Sequence, residues 1–262
     1  MLNLLLSGCY GRLCAAVTDY IAGLDDVRVA AGLDPGQPQG MAALPFPVFA
    51  SPDQIPDELA LDAVLDCSHP SALSGLLSFA LRRGLPCVIA TTGYGEREDA
   101  LLDGAKARLP LFCSRNMSLG VNLLKELTRR AARALGGCFD IEILEAHHNR
   151  KIDAPSGTAL ILAEAANQGL DEPRSFVYQR QERREARPKQ EIGIHSIRGG
   201  TIVGEHSVIF AGFDEVITLS HSASSRRAFA AGCVSAVRFL RDKPPGLYGM
   251  DDLIGGICCA DE

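Results

Sequence analysis

Short apolar runs alternate with stretches of helical spacing through the first 115 residues. Leu2–Ser7, Val27–Leu33, Ala63–Cys67, Pro86–Ala90 and Leu109–Cys113 read as strands. Cys14–Leu24, Ala72–Arg83 and Arg97–Ala107 place apolar residues three and four apart and read as helices. The strand runs are apolar at consecutive positions, which fits strands covered on both faces. Strands separated by helices need crossover connections, so this half predicts a parallel, doubly wound α/β sheet.

The pattern then changes. Val121–Leu135 and Thr158–Gln168 have helical spacing, and Asp140–Ala146 alternates as a strand does. Arg180–Lys189 is charged and irregular, as a solvated loop or an edge strand would be. Ile192–Ile197, Thr201–Ala211 and Glu215–Ser220 follow as strands, with turns at Gly199-Gly200 and Gly212-Phe213-Asp214. This predicts a second, α+β region with a mixed, mostly antiparallel sheet. Its strands carry apolar residues on more than one face, so a homo-oligomer is expected. A final helix, Ser225–Leu240, is expected to be capped by the Ser224-Ser225-Arg226-Arg227 run. The tail is punctuated by Lys243-Pro244-Pro245-Gly246.

Composition narrows the class. The chain has 262 residues, 47% hydrophobic and 22% charged, which suits a globular protein and excludes disorder, collagen and a coiled-coil rod. Its net charge of −6 argues against a nucleic-acid binder but not against an anionic small molecule. Nine scattered cysteines, with no CxxC pair, read as small buried hydrophobes in a reducing compartment. No basic leader and no apolar run of about 20 residues occurs, so the expectation is a cytoplasmic protein with no membrane contact.

Ser7-Gly8-Cys9-Tyr10-Gly11-Arg12-Leu13-Cys14 follows the first strand and opens the first helix. Gly8 permits a tight turn and Gly11 lets backbone approach a pyrophosphate, with the helix start supplying amide donors. The third small position is Cys14, so the fingerprint is degenerate. Asp34 closes the second strand, as a ribose-binding acid would, and Asp34-Pro35-Gly36 equally fits a plain turn.

The densest polar constellation is Glu145-Ala146-His147-His148-Asn149-Arg150-Lys151-Ile152-Asp153-Ala154-Pro155-Ser156-Gly157-Thr158-Ala159. Two histidines and a lysine lie just beyond a strand, and Pro155–Thr158 opens a helix. A helix start offers backbone N–H groups to a carboxylate, and the cations add charge to the same mouth. This reads as a pocket for a small dianion beside an acid catalyst. A capped helix with a solvated loop is the plainer reading, and metal ligation lacks the spacing. His69, His195, His206 and His221 are single and are expected to be structural.

This block resembles the signature of the 4-hydroxy-tetrahydrodipicolinate reductase (dihydrodipicolinate reductase) family of lysine and diaminopimelate biosynthesis. Gly8–Arg12, Asp66-Cys67-Ser68-His69-Pro70, Thr91-Thr92-Gly93, Asn116–Asn122, Arg198–His206 and His221–Arg226 extend the likeness along the whole chain. Cys14, where the family usually has glycine, and Cys67, where an aromatic is common, depart from it. The resemblance implies a dinucleotide-binding domain from residues 1–117 and 229–262, a substrate and oligomerisation domain from 118–228, and a homotetramer. It implies hydride transfer from NAD(P)H to a cyclic unsaturated dicarboxylate. By matching positions, His147 would donate the proton and Lys151 would stabilise developing charge. His148, Ser156, Gly157 and Thr158 would bind the substrate carboxylates. Gly8, Cys9, Tyr10, Gly11, Arg12, Leu13, Asp34, Cys67, Thr91, Thr92, Gly93, Asn116, Met117 and Ser118 would hold the cofactor.

Cofactor choice can be argued from charge. A 2′-phosphate needs a cation near the end of the second strand, whereas NADH needs a carboxylate there. Asp34 supplies the carboxylate, and no Lys or Arg follows it until Arg82. Arg12 is the one cation in the fingerprint. NADH is therefore expected to be preferred, with NADPH also used. The competing readings are another two-domain NAD(P)-dependent dehydrogenase of the aspartate pathway and a non-catalytic dinucleotide sensor.

Overall fold

The computed structural model describes residues 1–39 and 42–258. Cys259 and the last three residues of the expected dinucleotide domain lie outside the described residues, as do positions 40 and 41 of the loop after Asp34. The chain divides into two compact units, residues 1–119 with 226–262, and residues 120–225.

The first unit begins with β1 (Leu2–Ser7), α1 (Arg12–Ile21), β2 (Val27–Leu33), β3 (Val48–Phe49) and β4 (Ala63–Asp66). It continues with α2 (Leu73–Arg83), β5 (Cys87–Ile89), α3 (Glu96–Ala105) and β6 (Pro110–Cys113). The second unit holds α4 (Leu119–Leu135, its first residue grouped with the first unit), β7 (Asp140–His147), α5 (Gly157–Gly169), β8 (Ser175–Val177), β9 (Glu191–Arg198), β10 (Gly204–Ala211) and β11 (Val216–Ala223). The chain then returns to the first unit as α6 (Arg227–Leu240), β12 (Gly246–Tyr248) and α7 (Met250–Cys258).

In the first unit seven strands pair in the order β12-β6-β5-β4-β1-β2-β3, all parallel. The consecutive leucines of β1 explain its central place: Leu4, Leu5 and Leu6 are fully buried, packing alternately into two cores on opposite faces of the sheet. This is the doubly wound sheet that the apolar runs predict.

In the second unit the order is β11-β10-β7-β9-β8. β10 pairs antiparallel with β11 and β7, while β9 pairs parallel with β7 and β8, and the antiparallel ladders together join more residues than the parallel ones. One face packs Ile141, Ile143, Ile192, Ile194, Val208 and Phe210 against α4 and α5. The other face leaves Leu144, Ile197 and Val216 exposed.

Several details differ from the sequence reading, although shared elements keep their ends within three residues. The Thr201–Ala211 run becomes strand only at Gly204, because Gly200 and Thr201 complete the turn. Helix α6 starts from Arg226, with no side-chain cap, so the two serines do not cap it. It is not the last helix, since α7 buries Met250 and Leu253 in the first unit's core. β3, β8 and β12 are two or three residues long, too short to show a period. The 180–189 segment is irregular but anchored: Arg187 pairs with Glu142 and Asp140, and Arg180 with Glu142 and the buried Glu191.

Candidate active site

The strand register builds the site. Residues two apart on β7 share a face, so Ile141, Ile143, Glu145 and His147 form one column. β9 sets Ile192, Ile194, Ser196 and Arg198 beside them in order. β10 runs the other way and contributes Phe210, Val208 and His206, with Gly204 at the level of His147. The face is therefore apolar across two rows and polar across the next two. The polar rows meet the start of α5, where Ser156 caps the helix by accepting from Ala159 N at 3.1 Å.

Glu145 is the centre of these contacts and is fully buried. Its Oε2 accepts from Arg198 at 2.8 Å and stands 2.6 Å from His147 Nδ1. Its Oε1 accepts from Arg198 at 2.7 Å and from Ser156 N at 3.2 Å. Burial raises a carboxyl's pKa, but Arg198, Ser196, His147 and the Ser156 N–H outweigh it and hold Glu145 at about 2. Burial also pulls the His147 imidazole below its usual value, with Lys151 and Arg198 adding to this and Glu145 opposing it.

His206 stands edge-on to His147, with ring centroids 5.2 Å apart. Its Nε2 lies 3.0 Å from Ser156 Oγ. Burial and the charge of His147 push it down to about 4, so it is neutral near pH 7. Lys151 bonds both oxygens of Asp153 at 2.8 and 2.9 Å, and Arg198 donates to the Asp153 carbonyl at 2.7 Å. His148 is half-buried at the strand end. Gly157 and Thr158 form the first turn of α5, whose N–H groups and dipole suit a carboxylate. Among the described residues, no group of three or more His, Cys, Asp or Glu could hold a metal ion, and no helix is long and apolar enough to cross a membrane.

The first unit gathers the dinucleotide residues. Gly8 has φ +75°, and a Cβ there would lie 2.8 Å from the Cys67 carbonyl oxygen and Ser68 Cα. Only glycine fits that turn. The N-cap of α1 is Gly11, which has no side chain to satisfy the first-turn donors, and Arg12 stands exposed beside it. Cys14 fits the third small position: it is fully buried, with its thiol directed at the Ser7 carbonyl at 3.5 Å. Asp34 follows directly on β2 and accepts weakly from Tyr10 N at 3.5 Å, beside the turn. Beneath it, the buried Asp66 accepts from Ser7, Ser68 and Thr91 hydroxyls at 2.6–2.7 Å, tying three strand ends together. Leu13, Ala90, Thr92, Asn116 and Met117 line one cleft. Ser118 N donates to Asn116 Oδ1 at 2.9 Å, and Gly93 is exposed with φ +87°. These residues fit a dinucleotide: a glycine turn, an open helix start and a carboxylate at the next strand end. Cys9 is buried against Gly32 rather than facing the groove, and Cys67 is half-buried.

Family models for the N-terminus and the C-terminus of dihydrodipicolinate reductase match residues 2–117 and 120–254. The chain belongs to the dihydrodipicolinate reductase family. A 4-hydroxy-tetrahydrodipicolinate reductase of Caldanaerobacter subterraneus is 47% identical over 254 residues, 97% of this chain and 98% of that one. One of Clostridium botulinum is 42% identical over 256 residues, 97% and 99% of the two chains. A dipicolinate-bound dihydrodipicolinate reductase from Paenisporosarcina shares the fold, with a TM-score of 0.79 at 24% identity, over 96% of this chain and 99% of the other.

Two partners in the site have no local sequence signal: Arg198, and His206, which read from sequence alone as structural. The spacing of Glu145 and His147 on one strand was a readable signal. The positions of Arg198 and His206 depend on register between distant strands, which no local pattern encodes.

His206 generates a pH prediction. Its folded value, about 4, lies below the ordinary 6.5, so protons favour the unfolded chain. Stability should be intact above about pH 6.5 and should fall by about 3 kcal/mol as pH drops toward 4. Glu145 adds its own loss only below about 4.5. Denaturation midpoints measured from pH 7 to pH 4 should show the slope, and His206→Gln should flatten it.

Proposed function

We propose that this chain reduces 4-hydroxy-tetrahydrodipicolinate to tetrahydrodipicolinate, with NADH as the preferred hydride donor and NADPH also accepted. Membership of the family supports the reaction. The observation that carries the assignment of roles is the buried His147–Glu145 pair beside the first turn of α5 at Ser156–Thr158. The dinucleotide supplies a hydride when bound. The glycine turn at Gly8–Leu13 and the first turn of α1 hold its diphosphate, and Asp34 takes the ribose hydroxyls. Cys67, the Thr91–Gly93 turn and Asn116–Ser118 complete that surface, while the Cys9 side chain packs beneath it.

The second unit serves the substrate. A dicarboxylate needs several donors, and the N–H groups at Gly157 and Thr158, the Ser156 cap, His148 and Lys151 supply them. Loss of the 4-hydroxyl with a ring proton, as water, leaves a conjugated ring, and hydride arrival there leaves charge on its nitrogen system. Lys151 stabilises that charge as it develops. His147 then delivers a proton from Nε2, because Nδ1 is directed at Glu145. His147→Gln should lower kcat about 10²-fold or more, with little change in cofactor affinity. The check is NADH oxidation followed by absorbance with freshly condensed substrate. An unchanged kcat would overturn the assignment.

Charge sets the cofactor preference. A 2′-phosphate would meet Asp34, with Arg12 the one cation of the fingerprint to offset it. A penalty of about 1–2 kcal/mol gives roughly a 5–30-fold preference for NADH in kcat/KM. Side-by-side assays at fixed salt test this, and a preference for NADPH would mean that Arg12 outweighs Asp34.

The chain works as a cytoplasmic homotetramer. Leu144, Ile197 and Val216, exposed on the open face of the second unit's sheet, support burial against other copies. Light scattering should give about four times 27.9 kDa, and a 27.9 kDa species at micromolar concentration would refute it.

A further inference from the structure

The geometry points to Glu145, clamped by Arg198, as the positioning residue that keeps one proton of His147 on Nδ1 and so reserves Nε2 as the atom that delivers the catalytic proton. This rests on the proposed role of His147. Four observations converge on it. Glu145 is fully exposed to protein and not at all to water, so its charge must be answered locally. Oε1 accepts from two obligate donors, Arg198 at 2.7 Å and the Ser156 N–H at 3.2 Å. Oε2 accepts from Arg198 at 2.8 Å and faces His147 Nδ1 at 2.6 Å. A carboxylate has no proton to give, so the only bond His147 can make there is by donating from Nδ1.

The other ring nitrogen is kept clear from the opposite side. Position 204 is glycine, and a Cβ there would lie 3.2 Å from His147 Nε2. Any larger residue would press on the delivering atom. The same guanidinium also donates to the Asp153 carbonyl, and Asp153 holds Lys151. Arg198 thus sets the base of both cationic groups that the reaction uses.

Glu145 also helps His147 to carry its second proton. Burial, Lys151 and Arg198 all disfavour the imidazolium, and Glu145 is the group that favours it. Without the carboxylate the ring would lose its acid form at a lower pH.

Glu145→Gln separates shape from charge. Two obligate donors at the Oε1 place against one at the Oε2 place favour the amide oxygen at Oε1 and turn the –NH2 group toward His147, where it also opposes Arg198. The ring must then accept at Nδ1 and carry its proton on Nε2, with no counter-ion for the second proton. We expect kcat to fall about 10²-fold with KM for both substrates nearly unchanged. The decline of kcat at high pH should begin about 1 pH unit lower. Ring 15N shifts should show the Nδ1–H form for neutral His147 in the wild-type chain and the Nε2–H form in the variant. Wild-type kcat and pH profile in a folded Glu145→Gln chain would overturn the inference. So would an Nε2–H ring in the wild-type chain, a reading that needs no variant to fold. Failure of the reductase reading is distinct, since the wild-type chain would then turn over no substrate.

Discussion

A carboxylate removed wholly from water costs several kcal/mol unless its lone pairs are filled. Glu145 is such a group, and its neighbours are arranged around that demand. Arg198 of β9 comes to it from one side, the N–H of Ser156 from the start of α5, and the ring of His147 from its own strand. The partners belong to segments far apart in sequence. Each must be in place for the charge to be tolerated, so the second unit cannot close its core without also assembling its polar end. A guanidinium suits this role better than an ammonium because its fork meets both carboxylate oxygens at once.

The first unit meets a comparable demand differently. Asp66 is also fully buried, but it is met by the hydroxyls of Ser7, Ser68 and Thr91 rather than by a cation. Asp66 is thus answered by neutral donors where Glu145 is answered by a cation. The start of α1 and the exposed Arg12 add positive field at the glycine turn, and Arg115 and Arg226 line the adjoining cleft.

Much of this was legible in the sequence. Solid apolar runs gave the parallel sheet because Leu4–Leu6 face a core on each side, and no other arrangement buries three consecutive leucines so well. The glycine turn and the His-His block were readable because their chemistry is local. Pairing was not. Arg198 pairs with His147 across 51 positions, and His206 sits level with Glu145 across 61, contacts set by register rather than by neighbours in sequence. The short strands β3, β8 and β12 were invisible for another reason. They are held by the edges of sheets already formed, and carry no period of their own.

The column of β7 has one more consequence. Its side chains alternate between two faces, so a slip of one residue against β9 or β10 would exchange them all. Glu142 and Leu144 would turn toward α4 and α5, and Ile141, Ile143 and the Glu145–His147 pair would turn outward. Glu142 would lose Arg180, Arg187 and His195 and enter an apolar layer with no counter-charge. A sheet in the wrong register is thus penalised twice, once by greasy residues left wet and once by an acid left dry. Proofreading of the fold and integrity of the chemistry reside in the same eight residues.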